Sequence, residues 1–195
     1  MTEKENTGKM IIVSAPSGSG KTSIVKYLIE HQPDIEFSVS ATSRSPRSGE
    51  KDGVDYYFMS IDDFRNKIDG NQFVEWEEVY NGIYYGTLRS EIYRIWNNGK
   101  HIIFDVDVKG GINLKSEFGS RAISLFIKPP GINELRQRLI KRGTDHIKEI
   151  DKRIDKAEHE MAEESKFDVV VINNNLDEAC REALKICSDF INNEA

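Results

Sequence analysis

Residues 15–22 read Ala-Pro-Ser-Gly-Ser-Gly-Lys-Thr. They follow the apolar run Met10, Ile11, Ile12, Val13 and precede the helix-like stretch Ser23, Ile24, Val25, Lys26, Tyr27, Leu28. A strand, a glycine-rich turn, a Lys-Thr pair and a helix in that order make a phosphate-binding loop. Such a turn aims backbone N–H groups and a helix N-terminus at an anion, which suits a polyphosphate. Lys21 is placed to reach the outer phosphates, and the Thr22 hydroxyl to ligate Mg2+. The loop residues Ala15, Pro16, Ser17, Gly18, Ser19, Gly20, Lys21 and Thr22 are therefore expected to hold a nucleoside triphosphate. Ala15 stands where the usual pattern begins with glycine, which the loop tolerates if the φ of Ala15 is negative.

Two further groups of residues could do chemistry. Arg44 and Arg47 lie three apart around Pro46, in a loop-prone stretch with Gly49 and Gly53. Two guanidiniums in one loop can clamp an anion, and the hydroxyls of Tyr56, Tyr85 and Thr87 could add donors to the same phosphate. The run Ile102-Ile103-Phe104-Asp105 is an apolar strand ending in an acid, the usual partner of a phosphate-binding loop for Mg2+, often through water. An acid there can also cap the next helix. Asp107 follows two residues on, and the division of work between the two acids stays open at this level.

These residues need a scaffold. Apolar, β-branched runs at 10–14, 102–106, 122–127 and 169–172 read as buried strands. Each is followed by a helix-like segment, at 20–31, 109–117, 131–142 and 175–192. That alternation predicts an α/β fold with a parallel sheet and helices on both faces. Residues 37–40 could add a strand. Between 41 and 87 the pattern changes: short strand candidates at 56–59 and 72–76 flank a helix at 61–69, with Ser60 as its N-cap and Asp62 and Asp63 in its first turn. Asn81-Gly82 is a hairpin signal leading into Tyr84-Tyr85. The predicted organisation is a frayed leader at 1–9, an α/β core at 10–40 and 88–195, an insert at 41–87, and a polar, charge-rich mobile lid at 143–157.

Composition bounds the rest. The chain has 195 residues, 38% hydrophobic and 31% charged, with a net charge of −6. The acidic balance argues against a general nucleic-acid binder, which needs a surplus of cations. No apolar run is long enough to cross a bilayer. The polar N-terminus lacks the apolar core of a signal peptide, so the expected location is cytoplasmic. Cys180 and Cys187 share one helical face about 10 Å apart, too far for a disulfide. They read as small buried hydrophobes in a reducing compartment.

The stretch from Thr42 closely resembles the guanylate kinase signature T-[ST]-R-x-x-[KR]-x-x-[DE]-x-x-G-x-x-Y-x-[FY]. Thr42, Ser43, Arg44, Arg47, Glu50, Gly53, Tyr56 and Phe58 all fall in register. The resemblance also takes in the glycine loop, Phe73-Val74-Glu75-Trp76, Tyr84-Tyr85-Gly86-Thr87, Asp105-Val106-Asp107 and Arg142-Gly143-Thr144, nearly the whole chain after the leader. It implies a P-loop NTPase-type sheet with a GMP-binding insert and a mobile lid, and Mg2+-assisted phosphoryl transfer from ATP to GMP, with dGMP a weaker acceptor.

By position, the resemblance implies a GMP site lined by Ser40, Arg44, Arg47, Tyr56, Glu75, Tyr85, Thr87 and Asp107. Arg44, Arg47, Tyr56 and Tyr85 would hold its phosphate. Glu75 would accept from guanine N1–H and the 2-amino group, with Ser40 and Thr87 facing the O6 edge. Adenine's N1 is an acceptor, so a carboxylate there discriminates by leaving the wrong base unpaired. The catalytic set would be Lys21, Arg44, Arg47, Arg142, Arg153 and Asp105, with Arg142 and Arg153 reaching the triphosphate when the lid closes. Arg138 would stack on adenine, and Asn173 would lie beside that base. Two other readings share parts of the pattern: a phosphopeptide-binding scaffold, which typically has a degraded glycine loop, and a sugar-phosphate kinase, which has no use for Ser40 and Glu75.

Overall fold

A strand apolar at every position must be covered on both faces, and Met10, Ile11, Ile12 and Val13 are all fully buried. The structure, a computed structural model, describes residues 8–80, 82–143 and 147–193. Along the chain run β1 (Met10–Ser14), α1 (Lys21–His31), β2 (Ile35–Phe37), β3 (Ala41–Thr42), β4 (Tyr57–Phe58), α2 (Ile61–Asp69), β5 (Phe73–Tyr80), β6 (Ile83–Leu88), α3 (Arg89–Asn97), β7 (His101–Val106), α4 (Val108–Phe118), β8 (Ala122–Lys128), α5 (Ile132–Arg142), α6 (Ile147–Ala162), β9 (Val169–Ile172) and α7 (Leu176–Asn192).

Among the described residues one sheet has the order β2-β7-β1-β8-β9, every pair parallel. Side chains alternate across β1. Ile11 and Val13 join Ile24, Val25 and Leu28 of α1 and Ala179, Cys180, Ala183 and Cys187 of α7. Met10 and Ile12 face Ile92, Ile95 and Trp96 of α3 and Leu114 of α4. This is the expected helix-covered parallel sheet. Both cysteines are free and buried, and burial pushes the Cys187 thiol up to about 12. No helix of the described residues is long and apolar enough to cross a membrane.

A second sheet, ordered β4-β3-β6-β5, lies within 41–88 and is mixed: β3 pairs with β4 in parallel and with β6 antiparallel, while β5 and β6 are antiparallel. Its core stacks Phe64 of α2 on Phe73 of β5 at 4.3 Å. Ser60 caps α2 as its sequence suggests, its hydroxyl accepting from the Asp63 N–H at 3.0 Å. Gly82 has φ 75, as a tight hairpin needs, while Asn81 lies outside the described residues.

Three elements depart from the sequence expectation. The strand expected at 37–40 is β2, ending at Phe37. The Ser38 N–H still donates to the Ile103 carbonyl, but the chain then leaves for β3. Helix α3 was not anticipated, although Ile92, Ile95 and Trp96 are spaced for one buried face. Most of the segment read as a polar flap is helix α6. Its charges conceal a narrow apolar stripe, Ile150, Ile154 and Ala157, packed on Leu135 and Leu139 of α5. Residues 1–7 of the expected leader, and Thr144, lie outside the described residues. Lys9 is held in place: its N–H donates to His101 Nδ1, and its ammonium donates to the carbonyls of Phe190 and Asn193.

Candidate active site

The glycine loop leaves the end of buried β1 and enters α1 at Lys21, so the central strand fixes its position. Gly18 and Gly20 have φ of 93 and 92, a region that side-chain-bearing residues avoid. Gly20 is needed for space as well, because a Cβ there would come 2.3 Å from Asn173 Nδ2. At Gly18 a Cβ would meet Leu139 and Leu135 of α5 at 3.0 and 3.1 Å, so α5 rests directly on the loop. Ala15 is 6% exposed and part of the core, and Asn71 alone among the described non-glycine residues has a positive φ. The alanine therefore meets the condition the loop sets.

Parallel pairing puts Asp105 opposite Val13, at the edge where the loop begins. Lys21 Nζ is 2.5 Å from Asp105 Oδ1 and donates to the Val106 carbonyl at 2.6 Å. Thr22 Oγ1 donates to Asp105 Oδ2 at 3.3 Å. A hydroxyl and a carboxylate converging beside the loop are two hard oxygen donors. That donor set fits Mg2+, which proteins hold through one or two such groups together with substrate phosphates. Asp107, not Asp105, caps the following helix, its Oδ1 accepting from the Gly110 N–H at 2.8 Å.

The cleft over the loop has a volume of about 690 Å³, and Arg138, Arg153 and Lys156 face it from the far wall. A smaller cavity of about 260 Å³ adjoins it, with Glu75, Tyr85 and Gly86 on one side. Lys21, Ser40, Tyr56, Asp105 and Asp107 line both. Glu75 sits on edge strand β5 opposite Thr87 of β6, just past a register shift at Phe73 that re-aims it. It is 9% exposed, and Thr87 Oγ1 donates to its Oε1 at 2.7 Å. Burial raises the Glu75 carboxyl to about 7; the Thr87 hydrogen bond opposes this and the Asp107 charge adds to it.

Arg44 is not an open clamp. Its fork closes on Glu50 with two contacts of 2.7 Å, Nε donates to the Tyr85 hydroxyl at 3.2 Å, and Nη1 donates to the Ser45 carbonyl at 2.9 Å. The guanidinium also lies 5.0 Å from the Tyr56 ring centroid. Glu50, hydrogen-bonded by Arg44 and by the Arg47 N–H, is lowered to about 2. The Arg47 side chain is exposed and lines neither cavity. Asn173 is turned into the loop, donating from Nδ2 to the Ser19 carbonyl at 2.7 Å, and Arg138 Nη2 donates to the Asn173 carbonyl at 3.0 Å. Arg153 Nη1 reaches Ser17 Oγ at 3.1 Å. The Arg142 side chain lies outside the described residues.

The sequence reasoning missed three residues here. Lys156 and Glu160 of α6 face the loop cleft. Glu91 of α3, 2% exposed, accepts from the Val39 N–H at 3.0 Å and the Tyr57 hydroxyl at 2.9 Å, and is paired with Arg94. Its burial opposes ionisation, but those hydrogen bonds outweigh it and hold the carboxyl below its usual range. Glu91 thereby ties the residues beside Ser40 and Tyr56 to the core. A charged residue on the apolar face of α3, beside Ile92 and Ile95, was the available signal.

Two cavities sharing Lys21 and Asp105 mark a P-loop phosphotransferase with room for two ligands. The sequence profile of guanylate kinase matches residues 7–189. The chain is 50% identical over 188 residues to a guanylate kinase of Bacteroides fragilis, covering 96% of this chain and 92% of the relative. It is 48% identical over 191 residues to one of Bacteroides thetaiotaomicron, covering 98% and 94%. Among solved structures it is similar to the guanylate kinase of Anaplasma phagocytophilum, with a TM-score of 0.76 and 26% identity over 96% of this chain and 88% of that one. The chain belongs to the guanylate kinase family.

Proposed function

We propose that this chain transfers the γ-phosphoryl group of ATP to GMP, giving ADP and GDP. The observation that carries the reading is the shared wall: the cavity containing buried Glu75 opens onto the loop cleft through Lys21 and Asp105. Phosphates held in the two spaces would meet there.

In this reading the loop N–H groups and Lys21 hold the triphosphate, Arg153 adds charge from above, and Arg138 flanks adenine. Thr22 and Asp105 would hold Mg2+, which when bound neutralises charge on the phosphates. Ionised Glu75 accepts from guanine N1–H and the 2-amino group, with Thr87 and Ser40 at the same base. Tyr56 and Tyr85 offer hydroxyls to the acceptor phosphate beside Arg44, and Arg47 comes in from solvent. Lys21 and the arginines stabilise the charge spread over the transferring group. Helix α6, over the cleft, excludes the water that would otherwise accept the phosphoryl group. An intact loop lysine disfavours a peptide-binding scaffold, and Glu75 disfavours a sugar phosphate.

Coupled measurement of ADP release with GMP, dGMP, AMP, CMP and UMP tests the reading. GMP is expected to be turned over fastest and dGMP more slowly. Equal rates with AMP would overturn the guanine assignment.

A further inference from the structure

Bringing two polyphosphates together is opposed by their charge, so the most effective cation is one that reaches both. Four basic side chains line the loop cleft: Lys21, Arg138, Arg153 and Lys156. Of these, Lys21 and Lys156 also line the cavity that contains Glu75. Lys21 reaches the junction from the loop. Lys156 reaches it from the opposite wall, on α6, three residues after Arg153 and so on the same helix face.

The setting of Lys156 is not that of an ordinary surface pair. Its partner one turn on, Glu160, lies 3.4 Å away with a side chain only 14% exposed, while the Lys156 side chain is 59% exposed. The carboxylate is a fixed anchor, and the ammonium at the end of its flexible stem is free to extend toward the cleft. Burial raises the Glu160 carboxyl, the neighbouring Asp107 adds to this, and Lys156 and Lys21 oppose it. Lys156, Lys21 and Asp107 all line both cavities, so the three charged groups sit at their junction.

We propose that Lys156 is a catalytic residue whose ammonium contacts the phosphoryl group passing between the two nucleotides, and that Glu160 is its positioning residue. This rests on the ATP:GMP reading of the site. As the bond from the γ-phosphorus to the bridging oxygen breaks, its electron pair leaves with ADP, and a GMP phosphate oxygen forms the new bond. Lys156 keeps its proton throughout and donates hydrogen bonds to the equatorial oxygens.

The test compares wild type, Lys156→Gln, Lys156→Arg and Glu160→Gln by steady-state kinetics. It also measures affinity for an adenosine–guanosine pentaphosphate, in which one phosphate chain spans both cavities. Lys156→Gln is expected to lower kcat by about 100-fold, the lower end for loss of one transition-state donor. Each KM should move by less than about threefold, and the spanning probe should lose about tenfold more affinity than ATP or GMP alone. Lys156→Arg should keep most activity, and Glu160→Gln should show a smaller kcat loss with unchanged melting temperature. An active wild type with Lys156→Gln at the same kcat and probe affinity would overturn the Lys156 assignment alone. A wild type that phosphorylates no GMP would overturn the functional reading and this assignment with it.

Discussion

The glycine loop and the wall that carries Glu75 are built by opposite means. The loop is one contiguous run, shaped by two glycines in left-handed backbone and grafted onto a strand buried on both sides. The groups such a loop offers an anion are mostly backbone N–H. The opposite wall collects side chains from residues 40, 56, 75 and 85 across a small mixed sheet. Glu75 sits on an edge strand past a bulge, and Glu91 anchors the neighbours of Ser40 and Tyr56 from outside that sheet. A site made of backbone draws its accuracy from the fold. A site made of side chains draws it from a chain of supporting bonds, so it can be loosened from a distance.

Substitutions should separate the two. Lys21→Ala should have the largest effect, lowering kcat by ~1,000-fold through loss of charge stabilisation, with GMP affinity in a direct titration little changed. Arg44→Ala should raise the KM for GMP by ~100-fold with the KM for ATP within about twofold, since it removes a charge-assisted contact and frees Glu50 to repel the acceptor. A matching rise in the KM for ATP would erase the distinction between the walls. Glu75→Gln should lower the preference for GMP over AMP by ~50-fold, the scale of one charged hydrogen bond, read as a ratio of kcat/KM values.

Glu91→Ala should cost ~2 kcal/mol of stability in denaturant unfolding, because the Val39 N–H and the Tyr57 hydroxyl lose their buried acceptor, while exposed Arg94 keeps Glu36. It should also raise the KM for GMP more than that for ATP. The smallest effect concerns protons. Glu75 titrates near 7 in the folded chain against an ordinary value of 4.5. The folded state therefore holds its proton more tightly, and the stability contributed is present below pH 4.5 and lost as pH rises through 7. In the proposed site guanine would pair with the ionised form, so GMP binding at pH 6 should release a fraction of a proton that Glu75→Gln does not. Calorimetry in two buffers of different ionisation enthalpy reads that difference, and identical release by both proteins would remove Glu75 from the base site.

The same contrast explains what could be read without a structure. The loop was legible because its glycines, lysine and threonine are contiguous, and the core strands because each carries an unbroken apolar run. The Ser60 cap was legible because a cap is local. The acceptor wall came into view only through a long signature, since nothing near Glu75 in sequence reports that Thr87 will face it. Helix α6 was obscured by its charges, although Ile150, Ile154 and Ala157 repeat at helical spacing. The open arginine clamp drawn from Arg44 and Arg47 missed that Glu50, six residues from Arg44, closes its fork. Spacing reports that two charges can meet, but burial and competing partners decide which pair forms.

The contact beneath Gly18 has a mechanical consequence. Leu135 and Leu139 press on bare backbone there, and the same two leucines grip the apolar stripe of α6. The α5–α6 pair therefore bears on the phosphate loop through methyl groups against a surface with no side chain to interlock. Such a seat has no slack: a methyl group at position 18 would meet Leu139 and Leu135 at 3.0 and 3.1 Å on a backbone held at φ 93, so the residue that shapes the loop also sets how closely α5 can approach it.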